Sequence, residues 1–274
     1  SLDAILITGD LATSGYRRDD LVMARAILEP AQGGPGGHFV RHPLSAGYVP
    51  TFNSGAPVVW MPGNHDRYAG KGFEVGGTDF DEIVGWKTNS FVATFSMKGA
   101  LVLTIDCSLR PGSGSDSFPH RLGVGEVHDA LLAEVRRICE DREPDDLLLW
   151  MVHWPPEHTP RKEMMKLVRE NELLELAQEF GVDLILSGHT HRASVYESTV
   201  GVPVLCCGTT SQALSGDEPH TLFDIHVELE SNALTIDVDR WEFDSAGEEE
   251  AFVRAPGWRI TRSSQGATRI VTTP

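Results

Sequence analysis

Four short apolar runs in this sequence are each followed at once by residues able to ligate a metal. Ala4 to Thr8 leads into Gly9-Asp10, and Val58 to Met61 into Gly63-Asn64-His65-Asp66. Leu147 to Val152 leads into His153, and Leu184 to Ser187 into Gly188-His189-Thr190-His191. Short apolar runs closed by glycine or a polar residue read as buried strands. In open α/β sheets the carboxyl ends of such strands form the ligand crevice, because loops from neighbouring parallel strands fan out over it. The pattern therefore demands a fold in which residues far apart in sequence meet at one end of a sheet.

The rest of the chain fits that demand. Leu101 to Ile105 is a fifth strand-like run, and Glu126 to Cys139 places Val127, Leu131, Val135 and Ile138 on one helical face. A second helix is expected from Pro160 to Phe180, with Thr159 as N-cap, Pro160 at its first position and Gly181 past its end. Met164, Leu167, Val168, Leu174 and Ala177 of this helix would face the sheet. After Gly188 only strands recur: Ala193 to Glu197, Val202 to Cys206, Leu222 to Glu228 and Leu234 to Trp241. The expected class is α/β, with two stacked mixed β-sheets flanked by helices. Residues 1–254 read as a single domain and residues 255–274 as a polar, loosely held C-terminal tail. Residues 31–57 and 112–125 are Gly-rich insertions, of the kind that carry function or move.

Composition narrows the function classes. A formal charge of −17 repels a phosphate backbone, so a nucleic-acid partner is disfavoured. The longest apolar stretches fall far short of the ~20 residues of a membrane-spanning helix. The first residues lack the basic start and cleavage site of a secretory signal. Cys107 and Cys139 are widely spaced and Cys206 and Cys207 adjacent, so all four read as reduced thiols of a cytoplasmic protein. The late strands could pair subunits, which leaves a homo-oligomer open.

At the four strand ends the donors are a carboxylate (Asp10), an amide oxygen (Asn64) and imidazoles (His153, His189, His191). This mixed N/O set suits Mn, Fe, Zn or Co rather than Ca or Cu(I). His189 and His191 can reach one crevice only if their segment leaves regular pleating, which Gly188 permits. Each piece alone has an ordinary explanation: Asp10 as a turn residue, Met61-Pro62-Gly63-Asn64 as a turn, His153 as a core histidine. Their joint occurrence, in order, carries the reading.

Taken in that order, Gly9-Asp10, Gly63-Asn64-His65-Asp66, His153 and Gly188-His189-Thr190-His191 resemble motifs two to five of the calcineurin-like phosphoesterase family, over about Asp3 to Arg240. The resemblance implies two divalent metal ions bridged by Asp10. Asn64, His153 and His189 would complete one shell, and His191 would belong to the other. It implies a catalytic His65 beside the scissile phosphate, stabilising or protonating the leaving oxygen, with Asp66 orienting it or beginning the next helix. It also implies attack by a metal-bound hydroxide without a covalent intermediate.

Members of that family begin with a strand ending in Asp-x-His, and no such triplet precedes Asp10. Asp224-Ile225-His226 lies inside a late strand and reads as ordinary alternation. The first strand is thus apparently missing, the second metal site is incomplete in this chain, and an upstream segment is the simplest account. A non-catalytic metal-binding interaction module of the same fold is the alternative. The Gly-Asn-His-Asp form and Val152-His153-Trp154-Pro155-Pro156 are similar to the bacterial cyclic-nucleotide and glycerophosphodiester phosphodiesterase branch, although Trp154 stands where those relatives carry a second histidine. A small phosphodiester such as a cyclic nucleotide is the expected substrate, with a phosphomonoester, a nucleotide, a lipid-linked diphosphate or a nuclease activity as alternatives. Trp154 could stack on a base or wall the pocket. His120 with Arg121, and His38 with His42, are substrate-contact candidates whose ordinary reading is solvated loop.

Overall fold

The computed structural model describes residues 3–11, 18–28, 39–41, 48–50, 56–69, 74–75, 79–85, 90–97, 99–108, 123–143, 146–157, 166–208, 219–230, 233–244, 251–263 and 267–274. The apolar runs form strands in two stacked layers. One layer is a six-stranded sheet of β7 (Val92–Met97), β8 (Ala100–Ile105), β10 (Leu147–Val152), β12 (Leu184–Ser187), β13 (Ser194–Glu197) and β14 (Pro203–Cys206), ordered β13-β14-β12-β10-β8-β7. Its four inner strands run parallel, and both edge strands are antiparallel to their neighbours. The other layer combines the parallel pair β1 (Ile5–Ile7) and β4 (Val58–Trp60) with an antiparallel sheet of β15 (Thr221–Glu230), β16 (Ala233–Asp244), β17 (Ala251–Ser263) and β18 (Thr268–Thr273). Among the described residues β1 hydrogen-bonds to a single strand, β4.

Strand β10 shows why its sequence is continuously apolar, as strands covered on both faces are. Leu148, Trp150 and Val152 pack on one side with Leu131 and Val135 of helix α3 (Asp129–Glu140) and with Leu173, Leu174 and Ala177 of helix α4 (Glu170–Glu179). Leu149 and Met151 point the other way, to Val59, Leu234, Ile236, Val238 and Ile260 of the second layer. Beyond β1 and β4 lie helices α1 (Arg18–Leu28) and α2 (Asp79–Val84), with Leu21, Phe80 and Ile83 against Trp60. The order is helices, sheet, sheet, helices, which is the expected α/β class. Three two-stranded ribbons complete the description: β2 (Phe39–Arg41) with β3 (Tyr48–Pro50), β5 (Tyr68–Ala69) with β6 (Glu74–Val75), and β9 (Gly125–Glu126) with β11 (Leu167–Val168).

Two expectations are corrected. The second helix begins at Glu170 rather than Pro160, because Leu167 and Val168 pair with Gly125 and Glu126 as β11, and Arg169 turns the backbone at φ +61°. Thr159, Pro160 and Met164 lie outside the described residues, while Gly181, at φ +66°, does follow the helix end. Residues 255–274 are not a loosely held tail. They supply most of β17 and all of β18, in register from Gly257 with Thr273 to Arg262 with Thr268. The stretch reads as polar because only one face is buried: Trp258, Ile260 and Ile270 point inward, whereas Arg259 pairs with Asp237 at 2.6 and 2.9 Å on the solvent side. Arg262 also donates to the carbonyl of Val182 at 2.8 Å, tying this sheet to the loop before β12.

Other expectations match. Asp224 and His226 lie in β15, half-exposed and 3.4 Å apart, as strand alternation predicts. All four cysteines are free, and three of them are buried. No helix among the described residues is long and apolar enough to cross a membrane. If the C-terminal strands belong to the core, Ile260→Ala lowers stability by about 2–4 kcal/mol in denaturant unfolding, and truncation after Ala255 abolishes a cooperative melt. A loss under about 0.5 kcal/mol, the size of a neutral surface change, contradicts that placement.

Candidate metal centre

The carboxyl ends of β1 and β4 in one layer and of β10 and β12 in the other open onto the same point. Two glycines allow this approach. A Cβ on Gly9, at φ +101°, would lie 2.6 Å from both the amide nitrogen of Gly63 and Nδ1 of His153. One on Gly63 would stand 2.1 Å from a carboxylate oxygen of Asp10. No side chain fits either position, so the glycines of both strand-end motifs are required by close packing.

Four expected ligands converge there. His153 lies 3.2 Å from Asp10 Oδ2 and 3.1 Å from Asn64 Oδ1 through its Nε2. His189 Nδ1 stands 3.0 Å from Asn64 Oδ1 and 3.2 Å from His153 Nε2. The ligand atoms of Asp10, His153 and His189 all fall within 4.8 Å of one another. On its far side His153 Nδ1 is 2.7 Å from the carbonyl of Thr8, which can only accept a hydrogen bond. Nδ1 therefore carries the proton, and in the neutral ring Nε2 turns a lone pair toward the cluster.

Lone pairs of a carboxylate, an amide oxygen and an imidazole thus face one another at about 3 Å, an arrangement that repels unless a proton or cation lies between them. Ligand bonds of about 2.1 Å set neighbouring donors around an octahedral or tetrahedral ion roughly 3.0–3.4 Å apart. The observed separations match, and the N/O donor set fits a borderline divalent ion. The residues present therefore fit the implied metal.

Electrostatics run in the same direction. Burial opposes ionisation of Asp10, but the adjacent His153, aided by His65 and His189, outweighs it and holds the carboxyl well below the usual range. Burial likewise disfavours charged His153, yet the Asp10 carboxylate overrides it and raises the imidazole. Burial lowers His191, which keeps it neutral near pH 7. His191 is near enough for Asp10, His153 and His65 to act on it, but it stands outside the tight group.

The backbone around these candidate ligands is unusual. Asp10, His189 and His191 all adopt left-handed conformations, at φ +58°, +63° and +57°. The expected break in pleating after β12 is thus made by the two histidines themselves. Gly188 serves a different purpose, since a Cβ there would press to 3.0 Å on the Thr8 hydroxyl. Left-handed backbone in non-glycine residues is costly and concentrates at functional sites.

His65 is half-buried at the edge of the cluster, and its amide donates to Asp10 Oδ1 at 3.0 Å. Asp66 neither begins a helix nor stands free. It is fully buried and its Oδ2 accepts the Gly63 amide at 2.9 Å, closing the turn that presents Asn64 and His65. Trp154 is not a stacking surface for substrate: it is 1% exposed, its indole donates to the carbonyl of Gly123 at 2.7 Å, and its ring packs on His153 and His189. It walls the site from behind. His120, Arg121, His38, His42 and His158 lie outside the described residues. His220 packs on Phe243.

The sequence reading missed Arg67, Asp81 and Asp106. Arg67 follows the Asn64-His65-Asp66 turn, is wholly buried, and pairs with Asp81 at 2.8 Å and Asp106 at 2.7 Å. Asp106 directly follows β8, the same strand-end signature as the ligands, and so could have been singled out. A buried guanidinium costs several kcal/mol to desolvate unless fully paired, so this cluster is a deliberate feature of the site's surroundings.

Among curated proteins none matches the chain. Several solved structures are similar. A dimetal phosphatase from Danio rerio aligns at 11% identity and TM-score 0.47, over 66% of this chain and 69% of that one. Vps29 of Chaetomium thermophilum, complexed with a cyclic peptide, aligns at 18% identity and TM-score 0.25, over 34% and 49%. GAP50, the anchor in the inner membrane complex of Plasmodium, aligns at 15% identity and TM-score 0.31, over 62% and 55%. The model of the calcineurin-like phosphoesterase family matches residues 1–193 of the 274, the span that holds every strand end converging on the cluster. The chain belongs to the calcineurin-like phosphoesterase family.

Proposed function

We propose that the protein is a metal-dependent hydrolase of phosphate esters whose substrate is a small phosphodiester, such as a cyclic nucleotide. The observation that carries this reading is the convergence of Asp10, Asn64, His153 and His189 on one point, with His65 at its edge. In this reading the four hold one divalent ion, and His191 with Asp10 contributes to a second. When bound, such ions (Mn, Fe, Zn or Co) lower the pKa of a coordinated water to roughly 7 and neutralise phosphate charge.

The chain's own residues do the rest. The Thr8 carbonyl locks the tautomer of His153, so that Nε2 always faces the site. Asp10 uses one oxygen toward His153 and the other to hold the His65 amide, so the acid and the ligands share one anchor. The His65 imidazole then delivers a proton to the leaving oxygen of the ester, a role its place at the edge of the cluster allows. The charge of −17 supports a small substrate over a polyanionic one. Four free cysteines support a reducing compartment, the cytoplasm. The second reading, a non-catalytic metal-binding interaction module, draws on His191 standing outside the tight group.

Manganese-dependent hydrolysis of bis(p-nitrophenyl) phosphate separates the two readings. On the hydrolase reading His65→Ala lowers kcat by about 10²- to 10⁴-fold with metal affinity unchanged, whereas Asn64→Ala weakens metal binding itself. Metal-loaded protein with no turnover, indifferent to His65→Ala, speaks for the interaction module. Affinity is also expected to depend on pH. Asp10 stays ionised at neutral pH, but His153, raised by Asp10, must shed a proton before it ligates. Calorimetric affinity for Mn should therefore fall as pH drops from about 8 to about 6, with protons released on binding. A flat profile contradicts ligation by His153.

A further inference from the structure

The turn that carries Asn64 and His65 is pinned at three places. The Gly63 amide donates to Asp66, the His65 amide donates to Asp10, and the Arg67 side chain reaches away from the site into a buried ion cluster. Within the turn, the Arg67 amide donates to the carbonyl of Asn64 at 3.3 Å, so the two ends move as one unit.

Three nitrogens of the guanidinium face carboxylate oxygens. Nε and Nη2 lie 2.9 and 2.7 Å from Asp106 Oδ2, Nη1 lies 2.8 Å from Asp81 Oδ2, and the ring of Phe80 lies 5.3 Å from its centre. Asp106 is itself held, its Oδ1 accepting the amide of Ser108 at 2.9 Å and the Ser108 hydroxyl. Asp81 and Phe80 belong to α2, which Arg18 of α1 grips through Asp79 at 2.6 Å and Glu82 at 2.9 Å. Arg67 thus connects the ligand turn to the end of β8 and to the outer helix layer. Filling this volume needs only apolar side chains. A planar fork between two carboxylates adds one fixed orientation, which packing alone does not supply.

We propose that Arg67 is a positioning residue for the metal centre: its clamp on Asp106 and Asp81 sets where Asn64 Oδ1 and the His65 imidazole stand. The inference rests on the reading of Asn64 as a ligand. Its consequence is that the site is sensitive to the docking of α2, although no residue of α2 contributes a donor.

Cobalt tests this without turnover. The visible band of Co(II) reports ligand geometry, and calorimetry gives affinity. Arg67→Lys keeps the charge but loses the fork. It is expected to retain a cooperative melt, to shift or weaken the cobalt band toward that of Asn64→Ala, and to bind cobalt about tenfold more weakly. With the diester probe, kcat falls more than KM rises. A Lys variant that melts lower yet keeps the unsubstituted band and affinity overturns the proposal, leaving Arg67 a stabilising residue only. Should Arg67→Lys not fold, Asp81→Asn decides, because it leaves the pair with Asp106 in place: a smaller change of the same sign supports the proposal, and an unchanged band overturns it. Absence of any cobalt band in the unsubstituted chain overturns the ligand reading, and this inference with it.

Discussion

The hydrogen bond from His153 to the carbonyl of Thr8 joins the two β-layers where both contribute donors to the cluster. In isolation such a bond is worth about 1 kcal/mol of net stability. Its influence is larger because of what it fixes. It sets the proton on one ring nitrogen, turns the other nitrogen toward Asp10 and Asn64, and holds the end of β1 against the end of β10. That contact in turn forbids side chains at positions 9 and 63. Strand packing, glycine placement and donor geometry are therefore one constraint seen at three scales.

Support reaches the cluster from two sides by different means. Behind His153 and His189 the backing is apolar: Trp154 fills the space under both rings, and Gly125 must lack a side chain for the indole to fit. Behind Asn64 the backing is ionic, through Arg67 and its two aspartates. An aromatic wall tolerates small shifts of the rings it supports, whereas a planar guanidinium set between two carboxylates is directional. The imidazoles are held by shape, and the amide oxygen by orientation.

Much of this was legible in the sequence because strand and candidate ligand occur together. A run such as Leu147 to Val152 identifies a strand covered on both faces, and His153 after it identifies a strand end. Where the sequence misled, burial was one-sided or local. The last two strands alternate Trp258 and Ile260 with Arg259 and Thr261, so their mean polarity hid a core contribution. Leu167 and Val168 fit a helical face as well as a strand, and only their pairing with β9 decides. Asp106 escaped notice because a lone aspartate after a strand is common. Its meaning lies in Arg67, 39 residues earlier, and no local pattern encodes that distance.

The left-handed backbone at Asp10, His189 and His191 bears on how firmly an ion is kept. Each such residue stands about 1 kcal/mol above its relaxed conformation. The surrounding structure over-determines these conformations, so the stability of the fold carries that cost. A change that loosens the packing beneath the strand ends would let this backbone relax and carry Asp10, His189 and His191 off their positions together.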